Sequence, residues 1–420
     1  MKLVLRLLFL LVLSTGFVFA QEAEQHDDEH HEQDGGAHGD ETVYEPVPTI
    51  MGHISDANEF HIFGHVSIPL PIILYAPGHG FTFGFSNMFH HGATAVDGYV
   101  LNHGRVNRVV DAAFPTGHVE LESDHAIHMT THDVGGKQRD LGLLSYDGHE
   151  YELDQPSTLD GGLVGGGISS FYDFSITKNV FTMMFAALLL FFIFGSVKRS
   201  YQKNEGKAAS GMQSLLEPIF VFIRDEVTKP MIGEKHYERF QPFIMSLFFF
   251  ILFCNLFGLL PIFPGSANVT GNIAVTLGLA LLVFIVTNLN GNKHYWGHIF
   301  AMPGVPKWVL VILTPVELLG LIIKPFSLMI RLFANITAGH IIILSLVGLV
   351  FLFGQMGTNL GGASVGALVG SAFTAFMNLI ELLVAFLQAF IFSILAASYI
   401  GAAVEEHDHD DHDHEAATAH

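Results

Sequence analysis

Cysteine and charge are both scarce in this sequence. The single cysteine, Cys254, lies inside an apolar run, so the chain can form neither a disulfide framework nor a cysteine-based metal cluster. Charged residues make up only 14% of 420 positions, and 40 acidic side chains outnumber 19 basic ones, which argues against a nucleic-acid partner. The formal net charge of -21 sits in two tails and the N-terminal third. What remains is apolar: half of all residues are hydrophobic and the mean hydropathy is +0.43. That balance is the signature of a polytopic membrane protein.

The first residues read as a targeting signal. Lys2 and Arg6 form a basic start, residues 7–13 an apolar core, and Val18, Phe19 and Ala20 an exit before Gln21, the pattern of a secretory signal peptide over 1–20. The alternative, an extra membrane helix, would need roughly 20 uninterrupted apolar residues. Residues 21–41 are acidic, rich in histidine and nearly devoid of apolar side chains, which predicts a disordered exported tail. From 42 to 173, short apolar runs at 65–70 and 81–85 alternate with Gly, Asn, Asp and Pro. This patterning predicts a small, mostly β extramembrane domain.

Apolar stretches of helix length follow at 180–197, 243–260 and 272–289. Two longer ones cover about 314–353 and 363–404, separated by a small polar stretch at 354–362. Some 40 helical residues reach on the order of 60 Å, about twice the hydrocarbon thickness, so each must fold back or tilt steeply. Neither contains a clear turn signal. Tilt is therefore expected, with Pro325 and Gly339 as places for a kink. The expected fold is an all-α polytopic membrane domain over 178–404, with about five transmembrane helices, the last two long and tilted, behind the β domain. Lysine and arginine cluster between spans one and two, from Lys198 to Arg239, and recur as Lys293 and Lys307 between spans three and four. The loops 261–271 and 354–362 carry none. The positive-inside rule then puts the C-terminus and its disordered Asp/His-rich tail, 405–420, in the cytoplasm. It makes the chain a multi-pass membrane protein with its N-terminal domain on the external side.

Within the spans the ionisable side chains are Glu317, Lys324, Arg331, His340 and Glu381. Glu317 and Lys324 lie near a span end, where long side chains snorkel to the interface. Arg331 lies about 18 residues into its segment, roughly 25 Å, too deep to escape. A charge at that depth costs a few kcal/mol unless it meets a partner or a water-filled path. A buried pair with Glu381 would satisfy it structurally, and a place on an ion path would satisfy it functionally. So deep a cation favours the path.

The run Lys324, Pro325, Phe326, Ser327, Leu328, Met329, Ile330, Arg331, Leu332, Phe333, Ala334, Asn335 resembles the signature of ATP synthase subunit a, and continues through Ile336 to His340. Residues 387–392, containing Gln388, resemble the family's last span, and Asn255 to Pro261 together with Asn268, Val269 and Thr270 its second and third. The resemblance covers roughly 178–404 and leaves the exported domain outside. It implies that Arg331 is the essential positive charge facing rotor carboxylates, with Asn335 one turn on and Gln388 close by. It further implies that His340, Glu381 and Asn255 belong to a proton half-channel. Many bacterial members carry Glu where this chain has His340 and His where it has Glu381; here the two are exchanged.

Spacing supports that pairing. His340 is nine residues, about 13 Å, from Arg331 along one span, and Glu381 is seven residues, about 10 Å, from Gln388 along the next, which runs the opposite way. If Gln388 is level with Arg331, His340 and Glu381 come level too, as a proton relay requires. On the helix, Asn335 projects about 40° from Arg331, Lys324 about 20°, and His340 to the opposite side.

The expected function is thus that of an ion-translocating stator subunit. Two half-channels would pass protons to and from a rotating ring of c subunits and couple their flow to ATP synthesis. The resemblance implies the c-ring, peripheral stalk b subunits and the catalytic head as partners, with membrane lipid around the spans. No cofactor or resident metal is expected, the chain is not catalytic by itself, and the residues leave H⁺ or Na⁺ open as coupling ion. The competing reading is a His-rich divalent-cation transporter, suggested by the tails. Such a transporter would need several ligands inside the spans, where a single His, two Glu and a repelling Arg are found.

Overall fold

The computed structural model describes residues 55–405, apart from 64–65, 103, 112, 122–126, 135–136, 155–169, 205–207, 210, 261–262, 264, 266, 301, 303–304 and 355–359. The expected signal peptide, the tail 21–41 and residues 406–420 lie outside the described residues. The chain forms two compact units. One comprises Met1–Phe185, Phe257–Val269 and Ala338–Glu381, the other Ala186–Leu256, Thr270–Thr337 and Leu382–His420.

The first unit contains the β domain expected from its short apolar runs. Strands β1 (Glu59–Phe63) and β2 (Val66–Pro69) pair with each other. Strands β3 (Pro71–Ala76) and β4 (Gly80–Phe85) form a sheet with the late strand β12 (Tyr172–Asp173), in the order β12-β3-β4. A central sheet, ordered β7-β6-β5-β8, consists of β5 (Thr94–Val96), β6 (Tyr99–Asn102), β7 (Arg105–Arg108) and β8 (His118–Glu120). A third sheet has the order β11-β10-β9, from β9 (Ile127–Val134), β10 (Lys137–Tyr146) and β11 (His149–Leu153). Successive side chains on a strand point to opposite faces. Tyr99 and Leu101 accordingly enter one core with Ile72 and Leu74, while Val100 between them enters another with Leu144 and Leu153. The central sheet is covered on both faces, which is why its strands show unbroken apolar pairs instead of alternation. Two hairpins turn on Asp97 with Gly98 and on Asp147 with Gly148, each pair at positive φ (50° and 77°, 50° and 73°), where Asp and Gly carry little strain.

This domain is fastened to helix α1 (Lys178–Lys203) at its first turn. The Lys178 backbone N–H donates to the Ala57 carbonyl at 2.8 Å, and that of Asn179 to Asp56 Oδ1 at 3.1 Å, so two otherwise unpaired helix N–H groups are satisfied from the β domain. Phe60, Phe181 and Phe263 close the joint as an aromatic triad, with ring centroids 5.6, 5.4 and 5.2 Å apart.

The basic loop after α1 is itself helical. It contains α2 (Met212–Phe222), a π-helical turn at Ile223–Thr228 and α3 (Lys229–Ile232). Leu216, Ile223, Val227 and Ile232 are buried in the core of the second unit, and that packing organises a stretch too polar to read as a span. Helices α4 (Tyr237–Gly258) and α5 (Ile273–Leu289) follow. The Asn272 side chain caps α5 by accepting from Ala274 N–H at 2.9 Å. A bend of 104° separates α5 from α6 (Lys293–Phe300). The last helices, α7 (Lys307–Gly354) and α8 (Leu360–Val404), run unbroken for 48 and 45 residues, through Pro315 and Pro325 in α7. Neither folds back as a hairpin. At roughly 70 Å each they exceed an upright crossing by a wide margin. Among the described residues, four helices are long and apolar enough to cross a membrane, or five if the bent pair is one span, in keeping with the expected membrane domain.

Candidate functional site

In the second unit, α7 presents Arg331 half-buried and Asn335, one turn on, exposed. The Asn335 amide donates from Nδ2 to Gln388 Oε1 at 2.7 Å, joining α7 to α8. Gln388 is 1% exposed, and its Nε2 has no hydrogen-bond partner among the described residues. Nearby on α8 the Ala385 carbonyl accepts from Asn255 Nδ2 at 3.1 Å, while Asn255 Oδ1 accepts from the Thr270 hydroxyl at 2.7 Å. Asn255 thus ties α4 to α8 and to the start of the α5 segment with both ends of its amide engaged. Lys324 sits with its ammonium 5.6 Å from the Tyr399 ring centre. Trp308, Val311, Ile312 and Ile322 are large apolar side chains of α7 left uncovered in this unit.

In the first unit His340 and Glu381 meet. His340 Nδ1 lies 3.9 Å from Glu381 Oε1, so the ionic neighbour of Glu381 is His340. The glutamate is 4% exposed, and neither carboxylate oxygen has a hydrogen-bond partner among the described residues. A buried carboxylate so weakly satisfied is costly. Such groups concentrate where a proton is to be held and released. On the α7 side the contact depends on Gly339. A Cβ there would stand 2.6 Å from Glu381 Oε1 and 3.0 Å from its Cδ. On the other side of the histidine, a Cβ at Gly258 would lie 3.6 Å from Nε2, an ordinary contact distance.

Two features escaped the sequence. The sequence marks Gly339 only as a place for a kink, whereas the helix continues there and the missing side chain makes room for a carboxylate from α8. Asp56, in the β domain, holds the start of α1 and lies 3.6 Å from Arg105; nothing in the local pattern marks it. Among the described residues no three His, Cys, Asp or Glu side chains converge as a metal site.

Residues 180–401 match the family described as ATP synthase A chain. The chain belongs to that family. ATP synthase subunit a of Chloroherpeton thalassium is 43% identical over 280 residues, covering 65% of this chain and 79% of the relative. The Chlorobaculum tepidum protein named ATP synthase subunit a 2 is 42% identical over 256 residues (59% and 69%), and subunit a of Myxococcus xanthus 41% over 275 (63% and 82%). Residues 49–134 match a separate family, Domain of unknown function (DUF8433). As a member of the A chain family the protein is a multi-pass membrane protein of the proton-channel sector and not an enzyme by itself.

Proposed function

We propose that this chain carries protons through two half-channels to and from the carboxylates of a rotating ring of c subunits. Protons reach the ring from the periplasmic side by way of His340 and Glu381 and leave toward the cytoplasm after the ring has turned. Arg331 stands between the two paths. Its fixed positive charge blocks a direct leak and favours the ionised form of a ring carboxylate, an attraction that is strong where the dielectric is low. Asn335 and Gln388 keep the Arg331 stretch of α7 in register with α8, and Asn255 holds α4 against α8 beside the half-channel. The uncovered apolar surface of α7 faces the ring, while peripheral stalk b subunits and the catalytic head complete the ATP synthase complex. The periplasmic side carries the N-terminal domain and the cytoplasm the C-terminus, as the lysine and arginine distribution requires.

The observation that carries this reading is the contact between His340 and a buried Glu381 that accepts no hydrogen bond. The test of the assembled function is Arg331→Ala measured in inverted membrane vesicles. ATP-driven proton pumping should be lost while the subunit still copurifies with the c-ring, and Lys324→Ala should be far milder. Pumping at the parental rate in an assembled Arg331→Ala complex would overturn the assignment.

A further inference from the structure

The β domain carries an apolar face that its own cores do not use. Along β3, Ile72, Leu74 and Ala76 point inward, leaving Ile73 and Tyr75 on the opposite side. Strand β4 extends that outer side with Phe81, Phe83 and Phe85, which are 58%, 68% and 54% exposed. Tyr172 of β12 and the neighbouring Phe174 add two more exposed rings. Strand pairing sets these groups side by side, with Phe81 opposite Tyr75, Phe83 opposite Ile73 and Tyr172 opposite Tyr75. Ring centroids lie 4.7 Å apart for Tyr75 and Phe81, 5.6 Å for Phe81 and Phe83, and 6.3 Å for Tyr75 and Tyr172. Neither β3 nor β4 contains a charged residue, and β4 is the edge of its sheet. An uncharged aromatic edge left in water would invite pairing with other chains.

The same face runs into the membrane helix. Past β12 the chain stays paired to β3: Phe174 N–H donates to Ile73 O at 2.8 Å, Ile176 N–H to Pro71 O at 3.0 Å, and Ile73 N–H to Ser175 Oγ at 3.0 Å. Two residues after Ile176, at Lys178, α1 begins. At the other end of α1, Lys198 and Arg199 mark the bilayer boundary. Lys178 is twenty residues away, about 30 Å along the helix, which is the hydrocarbon thickness. The sheet is therefore joined to the helix at the opposite boundary, and Met184, in the second turn of that helix, is exposed as a lipid-facing side chain is.

We propose that the Phe81, Phe83, Phe85, Tyr172 and Phe174 face docks on the bilayer surface and rests the exported domain on lipid. Tyrosine and phenylalanine rings clustered without charge suit the zone between headgroups and acyl chains, where an aromatic body is dehydrated and a phenol can still reach water. The lipid also covers the β4 edge. The domain thereby becomes a fixed platform over the start of α1, and this holds whichever side of the membrane it occupies.

The test uses the full chain in phosphatidylcholine and phosphatidylglycerol vesicles. Single cysteines replace Phe83, Phe85, Leu188 or Glu150 in a Cys254→Ala background, each bearing a nitroxide. Leu188 reports lipid, and Glu150, an exposed strand residue, reports water. Electron paramagnetic resonance with oxygen and with a water-soluble nickel chelate reads the ratio of the two accessibilities. At positions 83 and 85 the ratio should exceed that at 150 severalfold and approach that at 188. A ratio equal to that at 150 would mean the face is in water, and low accessibility to both reagents would mean protein covers it. Either result overturns the proposal. Both reporter positions are exposed, so a label at either leaves the domain core intact, and agreement between them excludes a local artefact.

Discussion

At the scale of single residues, the account turns on a few groups whose chemistry stands out against an apolar background. Arg331, His340 and Glu381 are conspicuous in sequence because almost nothing else within the spans can ionise. The partner of His340 followed from residue spacing on two antiparallel helices; that of Asn335 did not, since the resemblance set Gln388 only near Arg331. Gly339 did not, because its role lies in what another helix places against it. A methyl group at 339 would meet Glu381 Oε1 at 2.6 Å, too close for the carboxylate to stay where it is. Gly339→Ala should therefore lower proton flux, by up to about a hundredfold if the carboxylate is displaced by an ångström, with the amount of assembled complex unchanged. Passive proton conduction in vesicles stripped of the catalytic head measures it, and flux at the parental level would show that the carboxylate's position is immaterial. Asp56 was equally hidden, since a helix cap supplied by another domain has no local signature.

At the scale of elements, the long helices were legible because an apolar run of 40 residues without a turn signal leaves few alternatives. The basic loop between the first two spans was not. Its helices α2 and α3 are short, partly charged and organised by burial against the bundle, a tertiary effect that overrides local preference. Their fit is tight where α8 crosses α3. A Cβ at Gly401 would collide with the Met231 carbonyl oxygen, a backbone group with no rotamer to escape into. Gly401→Ala should destabilise the subunit by about 1–3 kcal/mol, the usual range for overpacking. By contrast, Gly278→Ala in α5 meets nothing within 4 Å and should be neutral or slightly stabilising. Thermal unfolding of the purified subunit in detergent, followed by circular dichroism, separates the two. Equal midpoints would contradict the close crossing. In the β domain, strand existence was legible from punctuated apolar runs. The pairing of β12 with β3 was not, because it joins residues about a hundred positions apart.

At the scale of the whole molecule, the proposed mechanism assigns the ion path to the membrane helices and no part of it to the tails. Deleting residues 406–420 should leave ATP synthesis coupled to proton flow largely intact, since a polar extension beyond the spans adds no route for ions. If the deletion instead abolished zinc or nickel uptake while ATP synthesis was untouched, the cation-transporter reading would gain. The central claim is that His340 and Glu381 act as one proton relay, and their exchange tests it most directly. His340→Glu and Glu381→His are compared singly and together by proton flux in membrane vesicles. Groups in one network couple, so the two losses should not add, and the double variant should conduct better than at least one single variant. Strictly additive losses with no recovery in the double variant would contradict the relay and leave two independent packing defects in its place.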